Sequence, residues 1–543
     1  MPSYTGLVLL STLPLAYIIS TVIYRLYFHP LAKYPGPFWG RISEFPSYWH
    51  ALKQDRHLWL YQLQQRYGTT FRYSPNSVLV NTPNGFRSLY GPKGNVQKGL
   101  FYKVWPRNVD ALTTLNVIDT DVHARKRRVL NNSFSDKALR SAEKFILSNT
   151  NRWCDLIDEH ATRSHGDDDD DGWSTPLNMT DRINHLIFDI LGDLCFGKQF
   201  NMKEPDSQLQ YVPHLIAGFA QLMHPIAMSP FAGLWAWLKP RGLDWLLESA
   251  SPPALKGWEG FVEACLAERT GQEQERERQL QTGLVAPEGE ARRDFFHYIY
   301  HSEDPETGAR GLPKDEMYGE TELLIVAGSD TTAIVMSGLL FYLVRNGTAY
   351  AKLVEEVRST FSSASEIQSG PKLHSCRYLR ACINEGLRMT PPVAGETLRE
   401  VREGGTDVDG EYFPPGVNVS VAYYCLSHNK DVYPEPHKFR PERWLVDEKE
   451  GSTEESVALA ESGACSFSMG SRGCPGKYLA WIEMTIVMAK LVYLFDMRED
   501  PNNWVGGGGP GKGRGRENPD LYQTYDVFVS LHDGPMVQFK RRE

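Results

Sequence analysis

The sequence predicts a mainly α-helical protein with small β-sheets, an α+β fold, preceded by one N-terminal transmembrane helix. Three observations support this fold class. Apolar residues recur at helical spacing, between polar loops, over most of residues 120–390. Short runs typical of β-strands occur near residues 70–81 and 417–424. Residues 6–24 are uncharged and mostly apolar, as in a membrane span.

The N-terminal apolar stretch has the length of a single span, since a helix crosses the hydrocarbon core with about 20 apolar residues. Pro14 lies in its middle, where lipid tolerates a proline, and we expect it to kink the helix. Arg25, Lys33 and Arg41 follow the stretch, and no basic side chain precedes it. The positive-inside rule therefore leaves the rest of the chain in the cytosol. A cleaved secretory signal is the alternative, but the basic n-region is missing and the apolar stretch is long for an h-region.

Composition limits what the rest of the chain can be. A chain of 543 residues, 41% hydrophobic, can bury a large core, and no linker or internal repeat divides it. The net charge of −9 argues against a nucleic-acid-binding protein. Eight scattered cysteines without a CxxC pair indicate a reducing compartment. We therefore expect an anchor in residues 1–28 and one domain in residues 29–543, beginning with a stiff, proline-containing hinge at 29–37.

One cysteine, Cys474, lies in a segment suited to holding a metal. The segment is FSMGSRGCPG, residues 467–476, and an apolar-faced helix follows it. A thiolate at a helix N-terminus is favoured by the helix dipole and by unpaired backbone N–H groups. The glycines leave the bare backbone that an iron porphyrin needs beneath it, and Arg472 can pair with a propionate. For Cys474 alone, a buried structural cysteine is the alternative.

The same ten residues are similar at every fixed position to FxxGxRxCxG, the heme-binding motif of the cytochrome P450 family. The resemblance covers essentially the whole chain, because further motifs of the family occur in the expected order. It implies the cytochrome P450 fold and heme b (iron-protoporphyrin IX) as the cofactor. It also implies Cys474 as the iron ligand and Phe467 and Arg472 as heme-binding residues.

Two motifs resemble the structural lock of the family. Glu385-Gly-Leu-Arg388 is similar to ExxR, and residues three apart on a helix share a face and can pair. The segment FRPERW, residues 439–444, is similar to PERF. The resemblance implies that Arg443 joins Glu385 and Arg388 behind residues 467–476, which we call the heme loop. Trp444 stands where phenylalanine is commoner, and we expect no essential consequence.

An acid and a hydroxyl lie side by side in AGSDTT, residues 327–332, within an otherwise apolar helix predicted over 323–344. Burying a charge without partners is costly. In one interpretation Thr331 bonds to a backbone carbonyl and Asp330 faces solvent. The resemblance to the family's AGxDTT pattern implies instead that both are catalytic. Thr331 would hydrogen-bond the bound oxygen, Asp330 would relay protons, and Gly328 would leave room for O2.

Further basic residues would bind the two heme propionates. His123 and Arg127 are spaced i, i+4 on one helix face and resemble the family's HxxxR pattern. Arg399 matches the family's third propionate-binding position. The rest of the cluster at 125–128 is either solvated surface or a docking site for an acidic reductase domain.

The family's geometry implies which segments surround the substrate. They are residues 99–116, 213–231 and 393–398, Ala327, and the region near Val527. Their apolar and aromatic content indicates a hydrophobic substrate. Glu396 either orients a polar group of the substrate or faces solvent.

The segments YFHPLAKYPGP and HARKRR…FSDKALR resemble filamentous-fungal members of the family, which commonly oxidise specialised metabolites. We therefore expect a monooxygenase of the endoplasmic reticulum membrane that inserts one oxygen atom from O2 into an apolar small molecule. Its electrons would come from NADPH through a separate cytochrome reductase. Desaturation, ring rearrangement or a peroxide-driven reaction are alternatives at the same heme site. A non-catalytic heme carrier or sensor is the alternative outside enzymes, and the Asp330–Thr331 pair argues against it.

Two charged runs are predicted to lie in solvent. Five consecutive aspartates at 167–171 repel one another and indicate a loop between helices. Residues 272–281 alternate acids, bases and glutamines with only Leu280 apolar, which indicates an exposed helix or loop.

Overall fold

The computed structural model describes residues 4–106, 112–164, 172–282, 292–304, 307–503 and 505–542. Within them the chain is mainly α-helical with small β-sheets, as predicted. The α-helices are α1 (Tyr4–Ile23), α2 (Phe38–Ile42), α3 (Phe45–Leu52), α4 (Arg56–Tyr67), α5 (Pro83–Tyr90), α6 (Thr120–Ser133), α7 (Asp136–Ser164), α8 (Met179–Phe196), α9 (Val212–Ala227), α10 (Ala232–Leu238), α11 (Leu243–Ala250), α12 (Pro253–Gln281), α13 (Phe295–Tyr300), α14 (Lys314–Arg345), α15 (Gly347–Thr360), α16 (Pro371–Ser375), α17 (Arg377–Met389), α18 (Tyr423–Ser427), α19 (Glu454–Ser462) and α20 (Lys477–Leu494).

The strands are short and form four small sheets. They are β1 (Thr70–Ser74), β2 (Ser77–Val80), β3 (Val96–Lys98), β4 (Leu177–Asn178), β5 (Arg399–Val401), β6 (Thr406–Val408), β7 (Glu411–Phe413), β8 (Asn418–Ser420), β9 (Phe495–Glu499), β10 (Tyr525–Val527), β11 (Val529–Leu531) and β12 (Met536–Arg541). The largest sheet has the order β1-β2-β8-β5-β3, and β4-β12-β9 form a second. Pairs β10-β11 and β6-β7 complete the set among the described residues. In the largest sheet, antiparallel pairing of β3 with β5 sets Lys98 opposite Arg399.

Helix α14 is the central element of the largest core. It packs along α8 and also against α17 and α20. Ile334 and Leu339 on α14 share one buried cluster with Leu191 on α8 and Met488 on α20. An 18-residue window of α14 is apolar enough to cross a membrane, but 61% of that window is buried inside the protein. The apolar character of α14 is therefore explained by its place in the core.

The N-terminal helix projects from this body. Helix α1 includes Pro14, and the side chains of Leu13, Leu15, Tyr17 and Ile18 are exposed. At the N-terminus, the apolar helical stretch whose side chains the structure describes is Leu13–Phe28. It includes the π-helical turn after α1 and is shorter than a full membrane span.

Three arginines tie the chain just after α1 to the rest of the protein. The Arg25 guanidinium donates to the Ile42 carbonyl over 2.6 Å, and Arg41 donates to the Leu26 carbonyl over 3.0 Å. Arg72 on β1 donates to the Arg25 carbonyl over 2.7 Å. The segment predicted to be a hinge is therefore bridged by hydrogen bonds at both of its ends.

Three local predictions have different outcomes. The strand expected over 417–424 is limited to β8, because α18 begins at Tyr423. Residues 272–281 form the end of α12, as a helix, but Glu273 within them is buried. The aspartate run at 167–171 lies outside the described residues.

Candidate active site

The loop before α20 is held in a tight conformation around Cys474. The Cys474 amide donates to the Phe467 carbonyl over 2.8 Å, and the Gly473 amide donates to the Gly470 carbonyl over 3.1 Å. Gly470 has a φ of +69°, and a Cβ there would lie 2.4 Å from the Tyr90 carbonyl oxygen. Both the backbone conformation and the close approach therefore require glycine at this position.

Cys474 differs from the other cysteines in its surroundings. Seven of the eight are buried, whereas the Cys474 side chain reaches solvent. Protein nevertheless surrounds it on most sides, as for a group at the floor of a cleft, and this burial raises the pKa of its thiol. Backbone N–H groups of Gly476 and Lys477 and the charge of Arg127 act in the opposite direction. These groups favour a thiolate, the form that ligates a metal.

Five basic side chains meet beside this loop. This basic cluster consists of Lys98, His123, Arg127, Arg399 and Arg472. Burial and the positive charges of the other four members lower the pKa of His123 to about 3, so this imidazole is neutral near pH 7. Burial and the neighbouring arginines also hold the pKa of Lys98 well below its ordinary value. Among the described residues, no carboxylate forms an ion pair with any member of the cluster.

Backbone carbonyls, rather than carboxylates, position the cluster. Arg127 donates to the Gly473 carbonyl over 2.8 Å, which joins α6 to the heme loop. Arg472 donates to the carbonyls of residues 117 and 118, each over 2.9 Å. Lys98 donates to the carbonyls of residues 114 and 115 over 2.8 and 2.7 Å. An ammonium has three donors, so one remains for a ligand.

The unbalanced positive charge beside Cys474 fits the two propionates of heme. Buried cations without paired carboxylates are costly, and a dianionic group placed among them offsets that cost. The thiol of Cys474 would supply the ligand of a heme-thiolate site. The residues present therefore fit heme b. The sequence interpretation brought together His123, Arg127, Arg399 and Arg472 but missed Lys98, which no motif marks and which only the β3–β5 register places opposite Arg399.

The acid and hydroxyl pair lies where solvent reaches the middle of α14. Ala327 is exposed and Thr331 half-buried, although most of the helix around them is buried. The Thr331 hydroxyl donates to the Ala327 carbonyl over 2.7 Å, as in the non-catalytic interpretation. The Asp330 side chain is half-buried as well, and desolvation by the surrounding protein raises the pKa of its carboxyl to about 7. The hydroxyl proton of Thr331 is thus engaged, while its oxygen can still accept a hydrogen bond.

Gly328 also has a packing role that the sequence did not indicate. A Cβ at Gly328 would lie 2.9 Å from Cδ1 of Leu191 on α8. The missing side chain therefore faces the α14–α8 contact, where it permits close packing of the two helices. The expectation that Gly328 leaves room for O2 stays a prediction.

A second buried carboxyl, Glu483 on α20, escaped the sequence interpretation. Glu483 is almost fully buried, and burial raises the pKa of its carboxyl to about 8, opposed by a hydrogen bond with Thr332. In a predicted helix, nothing in the sequence distinguishes a buried glutamate from an exposed one. Its contact with the residue after Thr331 becomes visible only when α14 and α20 are packed together.

The predicted lock behind the heme loop is complete. Arg388 donates to both carboxylate oxygens of Glu385, each over 2.9 Å, and Arg443 donates to Oε1 of Glu385 over 3.0 Å. The Trp444 indole N–H adds a bond of 2.9 Å to Oε2. The pKa of Glu385 is lowered, since the two arginines and backbone N–H donation outweigh burial. The tryptophan, expected to be without consequence, thus supplies a donor that phenylalanine lacks.

Expectations about two sets of charged groups have different outcomes, and docking of a reductase at 125–128 stays a prediction. Glu396 neither faces solvent nor a substrate, because Arg56 pairs with both of its oxygens over 2.5 Å and Tyr73 donates to it over 2.8 Å. The cluster at 125–128 is not simply a free surface. Arg125 and the buried Lys126 both pair with Glu316 on α14, over 2.9 and 2.7 Å.

Segments expected around the substrate meet in one apolar cluster. Phe101 and Met223 are buried in it, and Leu398 and Phe528 pack against them. The ring centroids of Phe101 and Phe528 are 5.1 Å apart. Residues 107–111 of the first segment lie outside the described residues.

A cysteine at a helix N-terminus, a lock behind it and a cation cluster beside it define a heme-thiolate protein. The family model described as Cytochrome P450 matches residues 30–505. The chain is 35% identical to the cytochrome P450 monooxygenase AKT7 of Alternaria alternata, with 99% of this chain and 98% of that protein covered. It is 33% identical to apf7 of Gibberella fujikuroi, with 97% of each covered, and 33% identical to fscF of Fusarium equiseti, with 97% and 95% covered. The chain belongs to the cytochrome P450 family and is a heme monooxygenase with heme b as its cofactor.

Proposed function

We propose that this enzyme inserts one oxygen atom from O2 into an apolar small molecule of fungal specialised metabolism. The observation that carries this proposal is the solvent-accessible Asp330–Thr331 site in the middle of α14, together with the exposed Cys474 thiol. The apolar cluster around Phe101 and Phe528 supports a hydrophobic substrate. Desaturation and rearrangement at the same site are the alternatives to oxygen insertion.

Each residue around the heme site has a role that follows from its chemistry. Heme b, held by the Cys474 thiolate, would supply the activation of O2. Lys98, Arg127, Arg399 and Arg472 would bind the propionates, with neutral His123 as a hydrogen-bonding partner and Phe467 beside the loop. The Asp330 carboxyl holds a proton near neutral pH, because burial raises its pKa to about 7. The Thr331 hydroxyl donates its hydrogen bond to the Ala327 carbonyl, so its oxygen is the atom that accepts a hydrogen bond in the cleft.

We further propose that the protein is held at the endoplasmic reticulum membrane by α1, with residues 29–543 as the catalytic domain in the cytosol. Exposed aromatic side chains near the N-terminal helix and on α10–α11 support this arrangement. They include Trp39, Trp49, Trp237 and Trp245. Phe45 and Phe231 join the two regions, with ring centroids 6.5 Å apart. Tryptophan is the residue that membrane interfaces favour.

The redox partner in this proposal is an NADPH-dependent cytochrome reductase on a separate chain. Reconstitution of the purified protein with that reductase tests the whole proposal. A ligand-induced spin-shift screen first selects apolar compounds that bind. With isotopically labelled O2, oxygen insertion yields product with one labelled atom. Product that lacks the label identifies desaturation or rearrangement instead, and NADPH consumption that no compound stimulates would contradict a catalytic role.

A further inference from the structure

A buried carboxylate lies between two histidines far from the heme site in sequence. Glu273 belongs to the charged end of α12, yet its side chain is only 3% exposed. His297 on α13 and His301, the residue that caps this helix, face it and are partly open to solvent. The two histidines are four residues apart, so they project from the same side of the helix.

The three side chains converge on a single point. Oε2 of Glu273 lies 3.3 Å from Nδ1 of His297 and 2.9 Å from Nε2 of His301. One ligand atom from each residue lies within 4.8 Å of the others. A tetrahedral zinc ion with bonds of about 2.0–2.1 Å separates its ligand atoms by about 3.4 Å. The two oxygen–nitrogen spacings are therefore already close to those of a metal-bound set.

The neighbouring arginine leaves this oxygen available. Arg269 donates to Oε1 of Glu273 over 2.6 Å and shares its guanidinium with both oxygens of Asp294, over 3.0 and 3.1 Å. Asp294 therefore balances much of the arginine charge, and Oε1 can stay on Arg269 while Oε2 binds elsewhere.

We propose that Glu273, His297 and His301 form a binding site for a divalent transition-metal ion, with Zn²⁺ as the fitting species. Two imidazole nitrogens and one carboxylate oxygen make the ligand set that zinc accepts in open, three-ligand protein sites. The partial exposure of both histidines gives the ion a path to the site and room for water as a fourth ligand. An ion bound there joins α12 to α13.

Binding moves one imidazole proton on each histidine to its other ring nitrogen. On His297 the proton leaves Nδ1, which faces Glu273, for Nε2. In the metal-free state Arg310 donates to Nδ1 of His301 over 2.5 Å, so Nε2 carries the proton and donates to Glu273. Metal binding at Nε2 places the imidazole proton on Nδ1, where Arg310 can no longer donate. Oε1 of Glu277, 3.7 Å from Nδ1, lies on that side of the ring and becomes an acceptor for the N–H after a small shift of its side chain. Arg310 keeps Glu277 as a partner, over 2.6 Å.

Isothermal titration of the heme-loaded, full-length protein with Zn²⁺ alone tests the site. We expect one Zn²⁺ per chain, and a higher Tm in its presence, because a ligand that binds the native state stabilises it. His297→Ala and His301→Ala should each weaken binding by at least about tenfold. His214→Ala is the matched control, since His214 also faces a carboxylate, Asp181 at 3.6 Å, but is highly exposed. It should bind Zn²⁺ like the unaltered protein.

A further variant separates ligation from hydrogen bonding. His301→Gln retains a donor toward Glu273 but removes the imidazole, so Zn²⁺ affinity should fall while the metal-free Tm stays within a few degrees. The carbon monoxide spectrum of the heme reports folding of every variant independently of zinc. Absence of Zn²⁺ binding, or equal affinity in the unaltered protein and all histidine variants, would overturn the proposal. Neither outcome bears on the heme site or its oxygenase function.

Discussion

The indole N–H of Trp444 donates to Oε2 of Glu385 over 2.9 Å, within the buried lock that supports the heme loop. Arg388 and Arg443 already provide charged donors to the same carboxylate. Glu385 thus has donors from three side chains and from the Arg440 amide. A buried carboxylate is stable only when its lone pairs are satisfied in this way.

Replacing this tryptophan tests the value of the extra donor. Trp444→Phe should lower the free energy of unfolding of the heme-loaded protein by about 1–3 kcal/mol, because a buried hydrogen bond to a charged group is lost. Denaturant unfolding followed by tryptophan fluorescence and by the heme spectrum measures the change. Trp49→Phe, at an exposed tryptophan of α3, should leave it unaltered. Equal effects of the two substitutions would contradict a special role of Trp444.

Cys474→Ser removes the proposed axial ligand. The reduced, carbon monoxide-bound protein should lose the red-shifted Soret band of thiolate ligation, because a serine hydroxyl does not ionise near neutral pH. Absorption spectroscopy measures this directly. Cys376→Ser is the control, since Cys376 is buried and its thiol donates to the Lys372 carbonyl, a bond that serine can reproduce. Retention of the band in Cys474→Ser would assign the iron to another ligand.

Thr331→Ala should keep heme but divert reducing equivalents to peroxide, because the acceptor beside Asp330 is lost. The measurement is the ratio of product and of peroxide to NADPH consumed. Thr321→Ala is a matched control, as Thr321 lies on the same helix and its hydroxyl also donates one turn back, to Met317, over 2.7 Å. Thr331→Ser should restore part of the coupling. Unchanged coupling in Thr331→Ala would remove Thr331 from the mechanism.

The pH dependence of coupling should reflect Asp330. Its pKa is raised by burial to about 7, so the fraction that carries a proton falls as the pH rises through 7. Coupling of NADPH consumption to product should fall in the same range if Asp330 supplies protons. Asp330→Asn, which cannot ionise, should give low coupling with no inflection near pH 7. An inflection that persists in the asparagine variant would assign it to another group.

Lys98→Met should act differently on the two states of the protein. Without heme, removal of one cation relieves repulsion within the basic cluster, while the carbonyls of residues 114 and 115 lose a donor, so the two effects oppose each other and the Tm of the heme-free protein should change little. With heme, the loss of a propionate partner should speed heme transfer to an apoprotein acceptor. Lys103→Met, at an exposed lysine of the following turn, should change neither quantity. Slower heme loss in Lys98→Met would contradict the assignment.

Local motifs predicted the centre of this site well. The residues around Cys474 and the pairing of Glu385 with Arg388 follow from short-range spacing, because helix and loop geometry fix which neighbours meet. Lys98 and Glu483 could not be found in this way. One depends on strand register and the other on the packing of α20 against α14, and both join residues far apart in the chain.

Charged residues explain the remaining errors. Glu396 was expected to orient a polar group of the substrate or to face solvent, and Lys126 and Glu273 were expected at the surface, since charged side chains are rarely buried without a partner. Each is buried because the fold supplies that partner, such as Arg56 for Glu396. The partner lies 340 positions away in the sequence, where no periodicity or motif could have indicated it.

The hydrogen bonds of three arginines after α1 limit how this helix can move relative to the rest of the protein. Arg25, Arg41 and Arg72 fix the backbone of residues 25–26 to α2 and β1, so the proline-containing segment behind them acts as a brace. A helix attached in this way cannot rotate independently of the domain. In the proposed membrane-bound form, any tilt that a bilayer imposed on α1 would be passed on to the catalytic domain, and the lipid thickness would thereby influence the angle at which the cleft approaches the membrane surface.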